Sequence, residues 1–197
     1  MAPYHHIMVH FPISLLGLCF FLILLRSISK NSLAHRLESA VLIPCIVIGL
    51  AGAIAAFSTG LIIWPAEGTL TSTMGRNKIL MASWTIAVWS VVLVLRWRVG
   101  AAIWDGLGRY IMLGLGAFGS ILLATTGTLG GHLLGSPSRF SGLLHQFGWS
   151  VYQTYFVPSW VLIGMVTVGV ASITIGLLAK TKISPSVEVF AEKALAE

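Results

Sequence analysis

Histidine is the residue type in this chain best placed to do chemistry. His5, His6 and His10 fall within the stretch YHHIMVHFPISLL, residues 4–16, and His132 and His145 lie far downstream. Imidazole ligates haem iron, copper or zinc, and it carries protons. His6 and His10, four apart on a helix, point the same way and cannot clamp one haem from opposite faces. A two-histidine haem therefore needs a partner from another segment. His132 is the first candidate to pair with His10, and His145 the next. This arrangement allows one haem b and at most two, with His5, His6 and His145 as ligands of a second haem or as groups that hold the first. Other chemistries lack their residues. There is no Ser/His/Asp set, no His-Glu-x-x-His, no phosphate loop, and no Cys-x-x-Cys-His for a covalent haem.

The elements that position these histidines follow from composition. Of 197 residues, 56% are hydrophobic and only 9% charged, and the mean hydropathy is +0.91. So much apolar surface belongs in a bilayer. Five apolar runs are long enough to span it, over about 7–26, 39–64, 78–96, 109–133 and 157–179. The expected fold is an all-α membrane bundle of five helices, four as a core and one added. Residues 1–135 would form the four-helix haem domain and 136–156 an outer connection containing a surface helix. Residues 157–180 would be the fifth span and 181–197 a cytoplasmic tail. Pro12 is either a first-turn residue or a break within a longer first helix.

The net charge of +6 does not point to nucleic acid, because the basic residues sit in short connections. Nine of the twelve collect on one side of the expected topology: Arg26, Lys30, Arg36, Arg96, Arg98, Arg109, Lys180, Lys182 and Lys193. Arg76, Lys78 and Arg139 fall on the other. The positive-inside rule then puts the N-terminus outside and the C-terminus in the cytoplasm. On this map five of the six histidines converge on the outer face, and only His35 lies inside. All six acidic residues avoid the middle of the spans, which disfavours an ion-coupled transporter. Cys19 and Cys45 read as packing residues.

Small residues four apart mark helix contacts: Gly49 and Ala53, Gly52 and Ala56, Ala56 and Gly60, Gly116 and Ser120, Gly127 and Gly131. Gly127, Gly130 and Gly131, beside His132, could also let a flat macrocycle press on a helix. Arg76 and Asn77 are candidate contacts for a quinone head group or for haem propionates. Trp64, Trp149, Trp160, Tyr152 and Tyr155 read as an interfacial aromatic belt.

The opening HHIMVHFPISLL resembles that of a family of bacterial predicted membrane proteins, whose four-helix domain begins His-Pro-x-x-Val-His-Phe-Pro. His5, Val9, His10, Phe11 and Pro12 match, and His6 stands where the family has proline. GTLGGHLLG is similar to the Gly-Gly motif of that domain's last helix, at Gly130, Gly131 and Leu133. A histidine frequent near the start of the family's third helix is missing here. The resemblance covers residues 5–135 and implies a small, redox-associated protein like a b-type cytochrome.

These readings lead to one expectation. The chain is an electron-transfer and anchor subunit in the bacterial inner membrane, catalysing nothing alone. It would pass electrons between a periplasmic partner, such as a c-type cytochrome or a dehydrogenase, and the quinone pool. A non-redox scaffold and an outer-face copper or zinc protein are the alternatives.

Overall fold

A computed structural model describes residues 2–29, 31–64, 71–153 and the single residue Thr167. The expected fifth span, the tail, Tyr155 and Trp160 lie outside the described residues. The chain divides into Met1–Thr154 and Tyr155–Glu197, and everything below concerns the first unit.

That unit is helical, with no strand among the described residues. Its long helices are α1 (Ala2–Ile28), α2 (Ser32–Ile63), α3 (Thr73–Val99) and α4 (Gly108–Leu133), followed by a short α5 (Arg139–Gln146). Four segments are long and apolar enough to cross a membrane: Ile7–Ile28, Ser32–Ile63, Thr73–Trp104 and Gly108–Leu133. This is the mark of a multi-pass membrane protein.

Local chemistry sets the boundaries. Asn31 caps α2, its side chain accepting from the Leu33 amide at 3.2 Å. Ser72 caps α3, its Oγ accepting from the Gly75 amide at 3.2 Å. Helix α3 ends at Gly100, whose φ of 66° ordinary side chains avoid. A 3-10 stretch, Gly100–Trp104, then leads toward α4. Helix α1 runs unbroken through Pro12, so that proline is internal and leaves the Met8 carbonyl without its usual amide partner.

The helices pack in a ring, α1 on α2, α2 on α3, α3 on α4, and α4 back on α1. Sequential helices run antiparallel, so one end of the bundle gathers the start of α1, the end of α2, the start of α3 and the end of α4. At the opposite half a core forms around Leu16, Cys19, Ile23, Leu42, Ile46, Trp89, Val92 and Met112, all fully buried. Both cysteines are free, as a packing role requires.

Glycines set how closely the helices approach. A Cβ on Gly52 would stand 2.9 Å from Phe11 Cβ and 3.3 Å from Pro12 Cδ. One on Gly119 would stand 2.8 Å from Trp89 Nε1. In a bilayer, such contacts supply association energy that water would otherwise supply by exclusion.

Beyond this core lies a buried ion pair. Glu38 is 1% exposed and Arg96 8%. Arg96 Nε donates to Glu38 Oε1, and Nη2 donates to Oε2 at 3.3 Å, a two-pronged pairing. The sequence reading places Arg96 among loop charges. It instead lies inside α3 with its charge matched, so it is not a free orientation signal.

Candidate site: a cavity at the histidine end

At the histidine end the four helices enclose a cavity of about 460 Å³, within the ~300–1,000 Å³ range of small-molecule sites. All four contribute to its wall. From α1 come His5 and His10, from α2 Ala56 and Gly60, from α3 Lys78 and Ala82, and from α4 Gly127 and Gly130. Small side chains keep the helices in a ring without filling its middle.

Several polar wall groups are paired locally. The Thr85 and Thr126 hydroxyls donate to carbonyls of their own helices, Met81 at 2.7 Å and Leu122 at 2.8 Å. His5 is buried, and its ring rests on α2, where a Cβ on Gly60 would stand 3.0 Å from His5 Cε1. His5 Nδ1 lies 3.2 Å from Thr59 Oγ1. Thr59 Oγ1 also lies within donating reach of the Ala55 carbonyl at 2.8 Å and the Ala56 carbonyl at 3.1 Å. His10 sits at the exposed rim. His10 and Lys78 are the ionisable wall side chains that make no hydrogen bond or ion pair to any described residue.

The three glycines near His132 have separate causes. Nothing lies within 4 Å of a Cβ built on Gly127, so its missing side chain leaves open space. A Cβ on Gly130 would lie 3.5 Å from Lys78 Nζ, which places the ammonium against the α4 wall. At Gly131 a Cβ would meet the Ser136 carbonyl oxygen at 2.6 Å. That carbonyl is there because α4 ends in a Schellman turn. The Ser136 amide donates to the Gly131 carbonyl at 2.8 Å, and Gly135, at φ 72°, donates to the His132 carbonyl at 3.0 Å. Gly131 thus serves the turn that fixes His132.

His132 is beside the wall and is not part of its lining. Its Nδ1 is hydrogen-bonded to the Tyr152 hydroxyl at 3.2 Å, with the rings edge-on. Its Nε2 is buried without a hydrogen-bond partner. The segment carrying Tyr152 is tied down by Asn77, whose Nδ2 donates to the Gln153 carbonyl at 2.6 Å. Asn77 is therefore committed to holding this segment, while Arg76 is exposed. Neither lines the cavity. Lys78, one and two positions on, does.

The structure thus brings His5, His10, Gly130 and Gly131 to one cavity and places His132 next to it. His145 is exposed on α5, a helix shorter than the expected surface helix, and the His6 side chain lies outside the described residues. His35 is exposed in the first turn of α2 rather than in a loop. No cluster of three or more His, Cys, Asp or Glu suited to a metal ion occurs among the described residues. Sequence reasoning missed Lys78, which looks like an orientation charge until the fold turns it toward α4. The chain matches no family model, no curated protein and no solved structure.

Proposed function

We propose that this chain is a membrane b-type cytochrome, the electron-transfer and anchor subunit of a respiratory or periplasmic-dehydrogenase complex in a bacterial inner membrane. The observation that carries the reading is the cavity between four membrane helices with an uncommitted imidazole, His10, at its rim. The residues present suit a haem b. The wall is apolar, and the missing side chain at Gly127 leaves open space for a flat ring.

His10 from α1, at the cavity rim, and His132 from α4, beside the wall, are the residues that would hold the haem iron. His132 has the form expected of a ligand imidazole. Its Nδ1 is held by Tyr152 while its Nε2 is buried and unpartnered, and a ligand histidine is commonly oriented through its other ring nitrogen. His5 supports the wall through Thr59. When bound, haem b supplies a one-electron iron couple, and the protein tunes it through ligands, burial and hydrogen bonds. The chain's own residues exclude water and hold the imidazoles. With the N-terminus outside, the site lies near the periplasmic face, within reach of a periplasmic partner and of quinone in the bilayer.

The test is a reduced-minus-oxidised visible spectrum of the purified chain in mild detergent, with the haem-to-protein ratio. A b-type band that His10→Ala and His132→Ala each abolish or shift, and His35→Ala leaves alone, is the expected result. A colourless, normally helical protein sinks the cytochrome reading and favours a scaffold.

A further inference from the structure

We infer that the cavity takes an apolar molecule bearing a carboxylate, with the Lys78 ammonium as its counter-charge. The inference names the chemistry of the occupant of the proposed haem site, yet it stands without haem.

A lysine on a membrane helix ordinarily runs its charge out to water along its flexible stem. Lys78 is half-buried and lines the cavity. Its Nζ lies 3.5 Å from the position of a Cβ on Gly130, so the chain reaches from α3 to the wall of α4. A Cβ on Gly130 would make an ordinary contact with it. No described residue accepts a hydrogen bond from it or pairs with its charge. A cation among apolar groups without a partner is costly in a bilayer. At the other end of the same bundle the buried cation Arg96 has Glu38. An acidic group on the occupant would do for Lys78 what Glu38 does for Arg96.

The lining around Lys78 limits that group. Thr85 and Thr126 donate to carbonyls of their own helices, and His10, at the rim, is the wall imidazole with no partner among the described residues. One compact ammonium matches one carboxylate. A phosphate, with more charge and more oxygens, calls for several donors or a forked arginine. The rest of the wall, with Ala53, Phe57, Ile79 and Leu123, asks for an apolar body. Two sources share this chemistry: haem b through its propionates, and a long-chain fatty acid.

The experiment titrates the full chain in mild detergent with four probes: haem b, haem dimethyl ester, a long-chain fatty acid and its methyl ester. Haem binding is read by absorbance and fatty-acid binding by calorimetry. In the arm of the true occupant the acid binds roughly tenfold or more tighter than its ester. Lys78→Met erases that preference and Lys78→Arg keeps most of it. A preference in the haem arm supports both this inference and the cytochrome reading. A preference in the fatty-acid arm alone, with no haem bound, supports this inference and ends the cytochrome reading. Haem binding with no preference in either arm leaves the cytochrome and overturns this inference. So does failure of all four probes to bind, or a preference that survives Lys78→Met. If Lys78→Met does not fold, loss of the acid–ester difference in the wild-type chain still overturns it.

Discussion

One half of the four-helix bundle is a packed core, and the other holds a cavity. Trp89, Ile46, Met112 and Leu16 are fully buried in the half toward Glu38, and its buried cation is matched by an anion of the same chain. The histidine end keeps the same ring of helices but lines it with Ala53, Ala56, Gly60, Ala82 and Gly127. Its charge, Lys78, has no match among the described residues. The difference separates two tasks. One half supplies the contacts that hold the bundle, and on the proposed reading the other leaves room for a second molecule. Breaking each half should therefore have different consequences, on stability at one end and on ligand at the other.

The largest effect is expected at the ion pair. Arg96→Ala leaves Glu38 buried without its partner and should cost about 3–5 kcal/mol. Replacing both residues together by apolar ones of similar size should cost much less, because no charge is then stranded. Thermal unfolding in detergent, followed by helicity, compares the two. If the single and double variants melt alike, the pair is not a buried unit and the contrast with Lys78 loses its basis.

A smaller effect should follow from Gly52→Ala, at the junction of the two halves. The new methyl would stand 2.9 Å from Phe11 Cβ and 3.3 Å from Pro12 Cδ. Neither is the loose end of a flexible side chain, so α1 must shift from α2. Overpacking of this kind costs about 1–3 kcal/mol. Because His5 and His10 ride on the same helix, the shift should also weaken any ligand they hold. A melting temperature unchanged from wild type, with an unchanged haem titration, would show that α1 is not seated there.

Much of this was legible in the sequence, and the exceptions share a cause. Four of the five expected spans are found as helices because a membrane helix needs about 20 apolar residues in a row, and such a run is visible in one dimension. The third was read as 78–96 but runs Thr73–Val99, since hydropathy treats a charge as an end. Arg96 continues the helix because Glu38, far away in sequence, receives it. Lys78 lies within it because Ser72 caps the helix upstream. The compensation by Glu38 is not written near the residue it explains. The convergence of His5 and His10 on one end was readable from topology alone, as was the nearness of His132. The separate causes of Gly127, Gly130 and Gly131 were not, because each depends on what another segment puts opposite it. The exposure of His145 likewise follows from the short length of α5, which ends in its own glycine turn at Gly148.

The smallest effect on stability, and the sharpest on the comparison, is expected at Gly127. This glycine lies mid-helix on the cavity wall with nothing within 4 Å of a Cβ. At such a position alanine costs no contact, and it favours the helix by up to about 1 kcal/mol. Gly127→Ala should therefore melt at or slightly above the wild-type temperature, the opposite of Gly52→Ala. Gly127→Leu extends the test. Its side chain enters the cavity, gains contacts with the wall and should keep the bundle stable, while occupying the volume a ligand needs. Measured together, an intact melting curve and a lost haem titration would assign the open half to binding. A Gly127→Leu protein that unfolds would mean the space is smaller than it looks. One that stays folded and still takes haem with wild-type affinity would move the haem site elsewhere in the chain.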